Sequence, residues 1–442
     1  MSEFKAVRGM RDFLPKDAEK TRLVEQTARE LAGLYGYEEV ITPVVESYDL
    51  LTAKAGEEIR LRMYAFKDLG SRKVALRPEF TASIARLMAT KLRTAPKPLR
   101  LFCVGSLYRY DEPQFGRFRE FWQADYELMG SSKPEADAEI LILMINLVQR
   151  LGIHNHYLKI GHMGILRGIL SQEKLSEDQQ NQIMQLLDKK RWEEVLALVK
   201  GLNVSQQCLA TLKNVFEIKG KEPALVIKKI MEEVKNYEKA VTAVENLKEI
   251  LDIATQSNAK LEILVEAGFA RGLEYYTGMI GEAFAPELDF ALIGGGRYDR
   301  LIELFGGEPI PAVGFAAGID SMILAMKKQK STLTMSKEKR VLLMPFIPEM
   351  KPKVFEVSSM LREAGIQVEI EVMGRGVSKA LSDADRRGFA YAVLIGPEEA
   401  KTEKVVLKDL KKRDVKCVLT PGIGSYGFLQ EGLFAAFLIR RL

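Results

Sequence analysis

The chain has 442 residues, 47% hydrophobic and 28% charged, with a formal charge of +5, which is the make-up of an ordinary soluble globular protein with room for about three domains. No apolar run approaches the roughly 20 residues that span a bilayer, and MSEFKAVRGMRDFLP lacks the apolar core of a secretory leader, so a cytoplasmic protein is expected. Three cysteines (Cys103, Cys208, Cys417) without a CxxC spacing point to buried thiols rather than a disulfide frame or metal site.

Taken in order, Asp17 to Leu34 places Val24, Thr27, Leu31 and Leu34 at helical spacing and stops at Gly33 and Gly36. GYEEVITPVVES predicts a short strand at Val40 and Ile41, broken at Pro43. Lys73 to Leu76 predicts another strand, followed by a helix from about Thr81, whose hydroxyl is placed to cap it, with Glu79 just before. Leu101 to Gly130 reads as an antiparallel hairpin: an apolar run, a loop with Asp111, Glu112, Pro113 and Gly116, then a β-prone run from Phe118 to Leu128. That second run carries Arg119, Glu120, Gln123, Asp125 and Glu127, poor core material but suited to the floor of a polar pocket. Arg109, Arg117 and Arg119 add guanidinium groups that suit phosphate or carboxylate. A solvated hairpin with surface ion pairs is the plainer reading of the same stretch.

Ser132 and Pro134 open a helix to Leu151. From about Tyr157 to Ala259 strand signals fade, and Leu186, Leu187, Val195, Leu196 and Leu198 recur with helical period, predicting a helical insertion. Strand character returns at Leu261 to Val265, and PAVGFAAGIDSMILAMKK predicts a strand running into an apolar helix. After a polar linker, Lys327 to Lys339, the chain alternates β-α-β-α-β, the pattern of a small, largely parallel α/β domain. Lys401 to Lys416 holds seven basic residues against three acidic ones, either a solvated face or a stripe for a phosphate backbone.

The run Gly294–Gly296 fits neither a P-loop nor a dinucleotide fingerprint, so it is expected to admit a ligand or a neighbouring strand close to the backbone. His154, His156 and His162 have no acidic or thiol partner nearby in sequence, and no metal site is assigned. No Ser-His-Asp or Cys-His set is evident. What remains is carboxylate and arginine chemistry on Glu79, Arg109, Gln123, Glu127, Arg271, Tyr275 and Tyr276.

At these residues the chain resembles the histidyl-tRNA synthetases over nearly its whole length. GYEEVITPVVES is similar to the first class II signature and YRYDEPQFGRFREFWQADYELMG to the second. RGLEYYTG is similar to a signature peculiar to the histidine enzymes, and VGFAAGIDSMILAM to the third class II signature. The resemblance implies an α+β fold: an antiparallel sheet with flanking helices in two parts (1–156 and 260–327), a helical insertion (157–259) and, after a linker (328–339), a C-terminal α/β anticodon-binding domain (340–442). It further implies a homodimer with Pro43 at the interface, and ATP, Mg2+, L-histidine and tRNA(His) as substrates and partners. Arg109 and Arg271 would serve the α-phosphate during attack. Glu79, Thr81 and Gln123 would bind the amino group, and Glu127 with Tyr275 and Tyr276 would line the imidazole site. Arg109, Asp111, Arg119 and Gly318 would bind ATP. Glu112 and Gln114 would meet the acceptor end of tRNA, and Lys408, Lys411, Lys412 and Arg413 the anticodon side.

Two departures stand out. Asp111 occupies a position where the second signature usually has glutamate. Ser321 stands where the third usually has an arginine that grips the γ-phosphate, so Arg117, Arg119, Arg297 or Arg300 is expected to compensate. Two other readings of the chain are a catalytically weakened, tRNA-sensing paralogue and a regulatory subunit of ATP phosphoribosyltransferase.

Overall fold

The computed structural model describes residues 4–53, 57–112, 116–257, 261–272, 274–333, 340–402, 404–412 and 414–419. They fall into two compact units, Met1–Met335 and Ser336–Leu442.

Among the described residues of the first unit, nine strands form one sheet. Its backbone is the expected hairpin, Leu99–Tyr108 paired antiparallel with Glu120–Met129. The sheet continues antiparallel through Ala312–Gly318, Ile293–Arg297, Met279–Phe284 and Tyr157–His162. Period-two alternation sends Gln123, Asp125 and Glu127 to one face. Tyr126, on the other face, is fully buried against the helix Pro15–Leu34, where its hydroxyl donates to the Ala28 carbonyl at 2.7 Å.

The strand expected at Val40 and Ile41 lies at Glu38–Glu39, parallel to the hairpin. Val40 makes the last backbone bond, to Phe102 (2.8 Å), and Ile41 is 92% exposed. Pro43, which has no N–H to give, ends the pairing soon after. Lys73–Leu76 is the expected strand, but it sits in a separate small sheet with Val45–Ser47 and Ala65–Lys67. Two caps differ from expectation. The helix Thr81–Ala89 has Phe80 at its N-cap with no side-chain bond, because the Thr81 hydroxyl is turned to Glu127. The helix Pro134–Arg150 begins after Lys133, and Ser132 does not cap it. Proline at its first position already supplies the helical φ, and Asp137 in its first turn is held by Arg297.

The helical stretch begins at Met163 rather than Tyr157, since Tyr157–His162 is a strand of the main sheet. His162 makes the junction: Nδ1 accepts from the Gly164 N–H (3.1 Å), and Nε2 meets Asn246 Oδ1 (3.1 Å) on the helix Glu238–Gln256. Burial pushes this imidazole down to about 4, so it stays neutral. His156 is buried against the Ile153 carbonyl (2.9 Å). Cys103 and Cys208 are buried free thiols, as expected, while the Cys417 side chain lies outside the described residues.

In the second unit, Val341–Pro345, Val368–Ile370 and Tyr391–Ile395 run parallel, connected through the helices Lys351–Glu363 and Val377–Arg386. Lys404–Asp409 and Asp414–Leu419 then add antiparallel, making the sheet mixed. Apolar residues cover both faces: Val341, Leu343, Val354 and Leu361 on one, Leu342, Met344, Ala380 and Phe389 on the other. The helix Ile319–Lys328 takes in the first residues expected of the linker; residues 334–339 lie outside the described ones.

Candidate active site

The Gln123–Asp125–Glu127 face of the hairpin floors a cavity of about 1000 Å³, large enough for an amino acid and a nucleotide together. Arg109, Arg271, Glu79, Thr81, Gln123, Glu127, Tyr275, Tyr276, Asp111 and Gly318 all border it. Residues separated by up to 239 positions thus meet in one place, because the hairpin, the strand Ala312–Gly318 and the Arg271–Gly278 segment converge over the middle of the sheet.

Glu127 is the most tightly held of them. Thr81 Oγ1 donates to Glu127 Oε1 at 2.8 Å, and the Tyr298 hydroxyl donates to Oε2. The carboxyl is 1% exposed, and burial raises it to about 8, with both hydroxyl donors opposing the shift. Gly314 makes this possible: a Cβ there would collide with Glu127 Oε2 and lie 2.5 Å from the Tyr126 carbonyl. Glu79 receives the Tyr275 hydroxyl at 3.4 Å, and desolvation raises its carboxyl against the opposing charge of Arg109. Tyr276 is 5% exposed and packs on Tyr275 with ring centroids 4.8 Å apart.

The cationic groups are held differently. Arg109 Nε donates to the Pro78 carbonyl (3.0 Å), and its guanidinium lies 5.2 Å from the Phe121 ring. Arg271 pairs with Glu282, whose other oxygen is 3.3 Å from Lys159 Nζ. Its guanidinium lies against the bare backbone of Gly294, where a Cβ would come within 3.0 Å, and Gly295 lets the neighbouring strand at Phe315 approach closely. The glycine run thus admits a side chain and a strand.

Other expected residues fall elsewhere. Arg119 does not border the cavity: its Nε donates to the Asp111 carbonyl (3.0 Å), Nη1 to the Arg8 carbonyl (3.3 Å), and it stacks on Tyr110 at 3.7 Å. It braces the hairpin loop instead. Of the four arginines expected to offset Ser321, only Arg117 borders the cavity. Arg297 is locked to Asp137, Asp299 and the Ser131 carbonyl, and Arg300 is exposed outside the cavity. Glu112 pairs with Arg8 at 2.8 Å on the surface, while Gln114 lies outside the described residues. In the second unit, the backbone N–H groups of Lys411 and Lys412 both donate to Asp409 Oδ1 at 2.9 Å, forming the turn after the strand that carries Lys408. Arg413 lies outside the described residues.

Among the cavity residues, Asp125 was read in the sequence only as part of the pocket floor, and Lys159, Glu282 and Tyr298 were not singled out. Asp125 was visible as the middle member of the Gln123–Glu127 alternation, and Tyr298 as the residue directly after the GGGR run; Lys159 and Glu282 carry no local signal.

An antiparallel sheet whose central hairpin presents carboxyl, amide and guanidinium groups to one cavity defines the class II aminoacyl-tRNA synthetases. Residues 9–322 match the family model described as histidyl-tRNA synthetase, and residues 340–419 that of an anticodon binding domain. The chain is 39% identical over 419 residues to the histidine–tRNA ligase of Methanocaldococcus jannaschii, covering 94% of this chain and 97% of that one. It is 39% identical over 416 residues to that of Saccharolobus solfataricus, covering 93% and 96%. The solved histidyl-tRNA synthetase of Nostoc superposes over 100% of both chains with a TM-score of 0.79 at 22% identity. The chain belongs to the histidyl-tRNA synthetase family, the ligases that aminoacylate tRNA with histidine. Neither the regulatory-subunit reading nor the weakened paralogue is favoured by these matches.

Proposed function

We propose that the cavity binds L-histidine and ATP side by side and forms histidyl-adenylate, from which histidine passes to tRNA(His). The observation that carries this reading is the sharing of one cavity by Glu127, Tyr276, Arg109 and Arg271. The histidine carboxylate is already a nucleophile at neutral pH, so its oxygen attacks the α-phosphorus without a protein base, and the bond to the pyrophosphate oxygen breaks. Arg109 and Arg271 neutralise the oxygens on which charge builds up. Glu79, Thr81 and Gln123 take the amino group, and Glu127 with Tyr276 pairs the imidazole nitrogens, with Tyr275 steadying Glu79. A wrong amino acid would leave these groups unpaired. Asp111 and Gly318 border the nucleotide.

Mg2+ would be held chiefly by phosphate oxygens and water, since among the described residues no group of three His, Cys, Asp or Glu side chains is placed to cage it; when bound it supplies charge neutralisation for the leaving pyrophosphate. The lysines at 408, 411 and 412 face the tRNA backbone, and Glu112 its acceptor end. A homodimer is supported by apolar residues left outside in the first-signature segment, Ile41 at 92% and Val45 at 45% exposure. The protein works in the cytoplasm.

ATP–pyrophosphate exchange with each amino acid in turn tests the reading. Exchange should depend on histidine, and exchange that ignores histidine or prefers another amino acid would refute it.

A further inference from the structure

The most deeply buried carboxyl group in the cavity without a task in the scheme above is that of Asp125. Asp125 lies midway between Gln123 and Glu127 on the same strand face, about 7 Å from each along the chain. It is 1% exposed, and its Oδ1 has no hydrogen-bond partner. Gln123 Oε1, next to it on the cavity wall, is likewise buried without a partner. The nearby cations Arg109 and Arg77 offset only part of that burial. Arg77 is committed to the carbonyls of Thr42 (2.7 Å) and Ser106 (3.2 Å), and Arg109 gives its Nε to Pro78. Their charges lower the Asp125 carboxyl, yet burial outweighs them. A carboxyl group left this way in the interior is destabilising, and desolvation holds it well above the usual carboxylate range.

Such a site asks for a ligand that is only a donor and carries positive charge. Gln123 Oε1, Asp125 Oδ1 and the Glu79 carboxylate offer one acceptor to each of the three N–H groups of a primary ammonium, with the Thr81 oxygen, whose hydrogen goes to Glu127, sharing one of them. The charges match as well, because Glu79 and Asp125 together balance one ammonium and Arg109. We infer that Asp125 is a binding residue for the α-ammonium group of the amino-acid substrate, acting with Glu79 and Gln123. The inference rests on the proposed reading of the cavity and adds to it a second carboxylate.

The test compares two ligands on the full chain by calorimetry or equilibrium dialysis: L-histidine, and imidazole-4-propionate, which keeps the ring and carboxylate but lacks the amino group. The natural chain should bind histidine far more tightly than the des-amino compound. Asp125→Asn, close in shape, should weaken histidine on the order of 10- to 100-fold while leaving imidazole-4-propionate within about twofold. Asp125→Ser should do the same, and thermal melting should find both variants folded, since each removes an unpartnered buried carboxyl. Equal loss for both ligands would assign Asp125 to the ring or to structure and overturn the inference, as would unchanged histidine binding. A natural chain that binds histidine no better than the des-amino compound would instead overturn the reading on which the inference rests.

Discussion

Thr81 Oγ1 donates a 2.8 Å hydrogen bond to Glu127 Oε1, tying the first residue of a helix to a strand 46 positions further along the chain. The bond fixes the carboxyl group proposed to read the imidazole, so its loss should appear in the histidine KM. Thr81→Val keeps the shape and removes the donor. A rise of about 10-fold in the histidine KM, with the ATP KM unchanged, is expected in steady-state pyrophosphate exchange. Equal changes in both constants would mean a general disturbance of the cavity.

Glu127 also makes stability depend on pH. Its carboxyl is raised from 4.5 to about 8 by burial, so the folded chain holds that proton more tightly than the unfolded chain does. The contribution is fully present below about pH 4.5 and is lost as pH rises through about 8. Glu127→Gln cannot ionise, so its thermal midpoint should fall less than that of the natural chain between pH 5.5 and 8.5, without ligand. Parallel slopes in the two melting series would contradict this.

Arg271 is positioned by its pair with Glu282, itself shared with Lys159. Arg271→Ala should lower the rate of pyrophosphate exchange by about 100- to 1000-fold with little change in histidine affinity. Glu282→Gln keeps the arginine but loosens it, so a smaller loss in rate is expected, again without loss of histidine binding. Rapid-quench measurement of adenylate formation distinguishes the two steps.

Of the four arginines expected to offset Ser321, Arg117 alone borders the cavity, which makes it the one to test against the outer phosphates. Arg117→Ala should raise the ATP KM and lower the exchange rate, and adding Ser321→Arg to it should recover much of the loss. A chain that is inert until Ser321→Arg is introduced, with Arg117 intact, would show that nothing compensates.

The parts of this site legible in the sequence were those with a local period. Gln123 and Glu127 announce a polar strand face by spacing alone, and the hairpin follows from its loop. What escaped depends on contacts across the fold. Whether Arg117 or Arg119 faces the cavity is decided by the loop, where Gly116 has φ +77° and Arg119 is captured by carbonyls at Arg8 and Asp111. Thr81 reads as a helix cap until Glu127 is seen beside it. Tyr157–His162 is a strand surrounded in sequence by helices, and its place in the sheet is fixed by Met279–Phe284, more than 100 residues away.

Burial raises the carboxyl groups of Glu79 and Asp125 alike. An ammonium arriving among them favours their ionised forms, so they give up protons as it binds. Those protons pass to the solution, and the heat of histidine binding should therefore vary with the buffer, more being evolved in Tris than in phosphate at the same pH.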